Sequence, residues 1–178
     1  IALDDKQFQG ALQKKPEFAL MLMGIMIGRL RETIARLIAS NALQAAAAWK
    51  ESRVFDRKLL DGLVRVLGDD TPVRYDRNKA IMQEGQAGVF MYVVLEGRVA
   101  ISIQGSVVER IGPGGVFGEM ALVDQSARAA SAVAETDCGL LAINRNAFLS
   151  LVKTSPAFGA SLLGAVADRA RFLAARAK

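Results

Sequence analysis

The sequence predicts an α+β fold, an antiparallel β jelly-roll barrel flanked by N- and C-terminal helices. Three observations lead there. Between about residues 72 and 144, short runs rich in Val, Ile, Phe and Tyr alternate with turn dipeptides every 8–12 residues. Before that stretch, apolar residues recur every three or four positions through an alanine-, leucine- and methionine-rich segment. After it, from residue 144 to 178, the helical period returns.

Each element has its own justification. The first helix is expected to bury Phe18, Leu22, Met26, Leu30, Ile34 and Leu37, with Pro16 near its start, where a missing N–H is tolerated. Residues 52–67 read as a second amphipathic helix or helix pair, with Ser52 or Asp56 as N-cap. Strands are expected over 89–95, 99–103, 107–111, 131–134 and 138–143. The punctuation is Glu84-Gly85, Glu96-Gly97, Gln104-Gly105 and Gly112-Pro113-Gly114-Gly115. The closing helices bury Phe148, Val152, Phe158, Leu162, Val166 and Leu173, and Pro156 divides them.

The two ends of the chain repeat each other. At a shift of 140, Ala2, Phe8, Pro16, Phe18, Leu22, Gly24, Arg29, Arg31, Ala35 and Arg36 fall on identical residues, ten in 38 positions. Phenylalanine and proline coincidences do not follow from alanine-rich composition. Residues 1–48 are therefore read as the tail of an upstream copy of the same domain, whose barrel would end at the strand 1–3. Residues 49–178 are the second copy, with Trp49 as a packing anchor. A chain that opens on Ile1 without methionine reads as a piece of a longer protein.

Composition excludes several functions. With 178 residues, 52% hydrophobic and 23% charged, the chain has one domain's worth of core. The longest apolar stretch, residues 18–27, is about half of what a membrane span needs, and no charged leader precedes it. A cytoplasmic location without a membrane span is expected. One cysteine, Cys138, leaves no internal disulfide and reads as a small buried hydrophobe. The absence of histidine removes a Ser-His-Asp triad, His-ligated haem and His-based metal sites, so no metal and no catalysis are expected. The net charge of +5 reads as solvated helix faces, because aromatics at 6% are too few to stack bases. No nucleic-acid partner is expected.

The informative stretch is GPGGVFGEMALVDQSARAASAVA, residues 112–134. A glycine-rich turn leads into Phe117, Gly118, Glu119, Met120 and Ala121, one short helical turn whose free N–H groups suit an anion. Arg128 follows nine residues after Glu119, then Ala129, Ala130 and Ser131 open a strand. An arginine, a serine hydroxyl and a helix start together suit one phosphate diester. Glu119 is itself negative and would accept from a hydroxyl such as a ribose 2′-OH. The third glycine of G-x-G-x-x-G and the lysine of a P-loop are both missing.

Residues 117–122, the spacing to Arg128 and the run 128–134 resemble the phosphate-binding cassette of the cyclic nucleotide-binding domain family. Catabolite-activator-type regulators, protein kinase A regulatory subunits and gated channels share that domain. The runs 84–88, 91–99, 138–143 and 148–152 are similar to its other strands and helices, in the same order. Asn78 stands where the family often has glycine. The resemblance implies a cAMP-sensing regulatory module and not an enzyme. Arg128 would meet the cyclic phosphate together with Ser131 and the N–H groups of Gly118, Glu119 and Met120. Glu119 would meet the ribose. Ala129, where cGMP-selective members often carry threonine, leans toward cAMP. Related domains close a C-terminal helix over the base, which implies Arg169 over the purine and Phe172 on the apolar side. The implied partners are the cyclic nucleotide, with a homodimer or an upstream tandem domain. The alternatives are a degenerate domain used for packing, or the effector part of a transcription regulator.

Overall fold

The computed structural model describes residues 14–45, 51–67 and 72–176. Ala2, Phe8, Trp49 and the strand expected at 1–3 lie outside the described residues. The elements in chain order are α1 (Pro16–Ala39), a 3₁₀ turn (Ala42–Ala45), β1 (Glu51–Ser52), α2 (Arg57–Val66), β2 (Val73–Tyr75), β3 (Ala80–Met82), β4 (Phe90–Glu96) and β5 (Val99–Ile103). There follow β6 (Ser106–Ile111), β7 (Val116–Phe117), α3 (Glu119–Asp124), β8 (Ser131–Ala134), β9 (Cys138–Asn144), α4 (Arg145–Thr154) and α5 (Pro156–Arg176).

The strands form two sheets, ordered β1-β6-β5-β8-β3 and β2-β9-β4-β7. Every pairing is antiparallel except β1 with β6. This is the jelly roll with flanking helices. Gln104 and Gly105, with φ of 52° and 81°, make the two-residue turn that fixes the β5–β6 register, Ile103 opposite Ser106. Asn78 adopts φ of 71°, the conformation that makes asparagine an acceptable stand-in for glycine.

Strands β4 and β9 are apolar on both faces because each face is covered. Tyr92, Val94 and Leu140 meet Val99, Ile101, Ile111 and Ala132 inside the barrel. Met91, Val93, Leu141 and Ile143 face the other way, onto Phe148, Leu151, Phe158 and Leu162 of α4 and α5. Phe158 stacks on Phe55 with centroids 5.4 Å apart and meets Phe148 edge-on at 6.1 Å. Each fully buried side chain of this size contributes about 1.5–3 kcal/mol.

Helix α1 packs on α5, α3 and α4. Its buried stripe is Ala19, Met23, Ile27, Leu30, Ile34 and Leu37. The first half of the expected stripe thus shifts by one residue, and Phe18, Leu22 and Met26 are only half-buried. Asp56, not Ser52, caps α2, its Oδ1 accepting from the Leu59 N–H at 2.8 Å, while Ser52 pairs in β1. Pro156 opens α5, just as Pro16 opens α1. Among the described residues no single helix is long and apolar enough to cross a membrane.

Candidate functional site

The chemistry-bearing segment begins where β7 ends. Gly118, with φ of 83°, turns the chain into α3. A Cβ there would be strained and would also lie 2.8 Å from Arg128 Nη1. Gly88 has no unusual φ, yet a Cβ on it would come within 2.4 Å of Arg128 Cζ. These two glycines make the room that the guanidinium occupies.

Arg128 is 6% exposed. Its Nη1 donates to the Gly118 carbonyl at 2.8 Å and its Nη2 to the Phe90 carbonyl at 2.6 Å. Its backbone is fixed as well. The Arg128 N–H donates to the Gln86 carbonyl at 2.8 Å, and the Arg128 carbonyl accepts from the Gly85 N–H at 2.9 Å. Among the described residues no carboxylate lies within ion-pair distance of it. Burial pushes its pKa below the usual arginine value, and the charges of Tyr92 and Glu119 offset only part of that. The group stays protonated.

Glu119, the first residue of α3, is 2% exposed and pairs with Arg169 of α5. Arg169 also donates from Nε to Glu109 Oε2 at 2.9 Å, and from Nη2 to the Val116 carbonyl. Burial alone would lower the Arg169 pKa, but the two carboxylates outweigh it and hold the value above the ordinary one. Glu109 is missing from the residues singled out in the sequence. A signal existed: Glu109 pairs with the inward-facing Ile101, so strand alternation puts a carboxylate on the barrel's interior face.

These groups form the polar end of a cavity of about 220 Å³. Its apolar walls come from Met82, Ile101, Ile103 and Val108 of the barrel, Leu30 and Ile34 of α1, and Phe172 and Leu173 of α5. Phe117, Gly118, Glu119, Met120, Ala121, Arg128, Ala129, Ala130, Arg169 and Phe172 all line it. Ser131 is not among the lining residues; its hydroxyl accepts from the Glu84 N–H at 3.0 Å. Arg169 sits among carboxylates at the polar end rather than over an apolar wall, because a buried guanidinium needs counter-charges. Arg169, expected over the purine, and Phe172, expected on the apolar side, both line the cavity. Among the described residues no group of three or more Cys, Asp or Glu side chains converges as metal ligands would.

A further contact comes from α1. Arg31 donates from Nε to Asp124 Oδ2 at 2.5 Å, from Nη2 to Asp124 Oδ1 at 3.0 Å and from Nη1 to the Ala127 carbonyl at 3.0 Å. Burial pushes the Asp124 carboxyl up, but the hydrogen bonds from Arg31 and from the Ser126 N–H outweigh it and hold it below the usual range.

The glycine geometry makes a direct prediction. Gly88→Ala should displace the Arg128 guanidinium while the fold survives, since the clash falls on the end of a flexible side chain. A crystal structure of the variant should show the guanidinium off the Gly118 and Phe90 carbonyls, with a melting temperature close to that of the parent.

The two-sheet jelly roll thus holds a cavity whose polar end carries a buried arginine beside a short helix. Residues 72–155 match the family model for the cyclic nucleotide-binding domain. The chain is 36% identical over 102 residues to the "Cyclic AMP receptor protein" of Thermus thermophilus, covering 54% of this chain and 47% of that one. It is 35% identical over 81 residues to a cGMP-dependent protein kinase of Drosophila melanogaster, covering 46% of this chain and 7% of that protein. The crystal structure of Thermus thermophilus catabolite activator protein superposes with a TM-score of 0.55 at 31% identity, over 66% of this chain and 56% of that one. The chain spans about half or less of the length of these relatives. The residues that match the family model exclude α1 and α5, which contribute walls of the cavity.

Proposed function

We propose that the chain is a non-catalytic regulatory module that binds a cyclic nucleoside monophosphate, cAMP in preference to cGMP. The observation that carries this reading is Arg128, a buried cation at the polar end of an otherwise apolar cavity. Its two hydrogen bonds to carbonyls leave three of five N–H donors for an anion. A cyclic phosphate carries one negative charge and two free oxygens, which a planar guanidinium fork matches. The first turn of α3 completes the phosphate end; Ser131 lies off the cavity lining and would have to turn its hydroxyl from the Glu84 N–H to join it.

Glu119, paired with Arg169, offers carboxylate oxygen to a ribose hydroxyl. The apolar half of the cavity receives the purine, with Phe172 at its side. Ala129 brings no hydroxyl to that cavity, which supports adenine over guanine. The protein's location is read as cytoplasmic. Residues 1–48 are read as the tail of an upstream copy; Pro16 and Pro156, equivalent in the repeat, both open helices.

Thermal denaturation tests the reading. A ligand that binds only the native state stabilises it by RT ln(1 + [L]/Kd), about 2.7 kcal/mol at a hundredfold excess over Kd. cAMP should raise the melting temperature most, cGMP less and 5′-AMP least, because the linear phosphate brings a second charge and a different shape. No shift with either cyclic nucleotide at millimolar concentration would assign the fold to packing or dimerisation instead.

A further inference from the structure

Helix α1 lies outside the residues that match the family model, yet it touches the site twice. Leu30 and Ile34 form part of the cavity wall. Arg31, between them, grips the far end of α3 with a two-pronged hold on Asp124, and its third contact is the carbonyl of Ala127, the residue before Arg128. The prongs reach across 93 and 96 positions of sequence. Arg31 therefore fixes the α3–Arg128 connection from outside it, and it does so from the same helical turn that walls the cavity.

We infer that α1 is a ligand-coupled part of the site, with Arg31 as the positioning residue that joins it to the segment carrying Glu119 and Arg128. Any shift of α3 on ligand binding must move Arg31 or break its fork. Docking of α1 and occupation of the cavity are thus linked, and the linkage is reciprocal: whatever loosens α1 weakens the ligand, and the ligand tightens α1. A bidentate guanidinium–carboxylate pair carries such coupling because it tolerates little change in angle, whereas an ammonium at the same place acts as a point charge.

The inference rests on the cyclic-nucleotide reading, and its test separates the two. The chain, with Arg31→Gln, Arg31→Lys and Asp124→Asn, is titrated with cAMP by calorimetry. Amide hydrogen exchange along α1 is followed with and without saturating cAMP. In the parent, cAMP should slow exchange over residues 27–37. Each variant should bind cAMP about five- to twentyfold more weakly and lose most of that slowing, with Arg31→Lys closest to the parent. A merely structural Arg31 would leave the cAMP-dependent slowing in place. Parent-like cAMP affinity in Arg31→Lys together with Asp124→Asn, or exchange along α1 that ignores bound cAMP, would overturn the coupling while leaving the ligand intact. Failure of the parent to bind cAMP or cGMP would overturn the functional reading, and the coupling with it.

Discussion

Arg128→Lys should abolish most cAMP binding while leaving the fold intact. Lysine keeps the positive charge and much of the length, but it has one nitrogen where the guanidinium has three. It cannot hold the Gly118 and Phe90 carbonyls and a phosphate together in one plane. Truncating one member of a buried charged contact costs about 2–5 kcal/mol, so the dissociation constant should rise roughly thirtyfold to a few thousandfold. Calorimetric titration measures this directly, and circular dichroism checks that the variant is folded. Parent-like affinity would place the phosphate elsewhere in the cavity.

The second large effect is on stability. Arg169→Leu leaves Glu109 and Glu119 buried at 7% and 2% exposure with their shared partner gone. Breaking a buried pair by removing one side costs about 3–5 kcal/mol. For a chain of this size that is a fall in melting temperature of roughly 6–20 °C. Removing the charges together, as Arg169→Leu with Glu109→Gln and Glu119→Gln, should recover a large part of the loss. If the triple variant melts with the single one, the role of Arg169 is packing rather than charge.

Much of the barrel was legible because its signals are local. The runs read as β4, β5, β6, β8 and β9 are bounded by turns whose geometry their residues demand, and Gln104-Gly105 is the clearest. The short strands β1, β2, β3 and β7, of two or three residues each, carry too few side chains to show a period. Helix α1 shows a different limit. Phe18, Leu22 and Met26 and the adjacent Ala19, Met23 and Ile27 both recur at four residues, so periodicity offers two stripes and only packing chooses between them. In the site, the residues around Gly118 and Arg128 could be read because they lie on one short continuous segment of chain. Arg31–Asp124 and Arg169–Glu109 could not: ion pairs that span 93 and 60 residues leave no mark in either local stretch. Arg169 and Phe172 lie three residues apart on α5, and nothing local to that helix shows that the buried guanidinium pairs with Glu109 and Glu119.

The walls of the cavity set the order in which the molecule can assemble. The β5–β6 hairpin closes through a two-residue turn and needs no distant partner. The cavity, by contrast, is completed by Leu30 and Ile34 of α1 and by Phe172 and Leu173 of α5, on opposite sides of the barrel in sequence. Bringing segments so far apart together carries a loop-closure entropy that local hairpins avoid, and contacts of this separation slow folding. The barrel can therefore be in place before its ligand chamber exists. During synthesis, the wall supplied by α1 waits for α5 to emerge before the chamber can close.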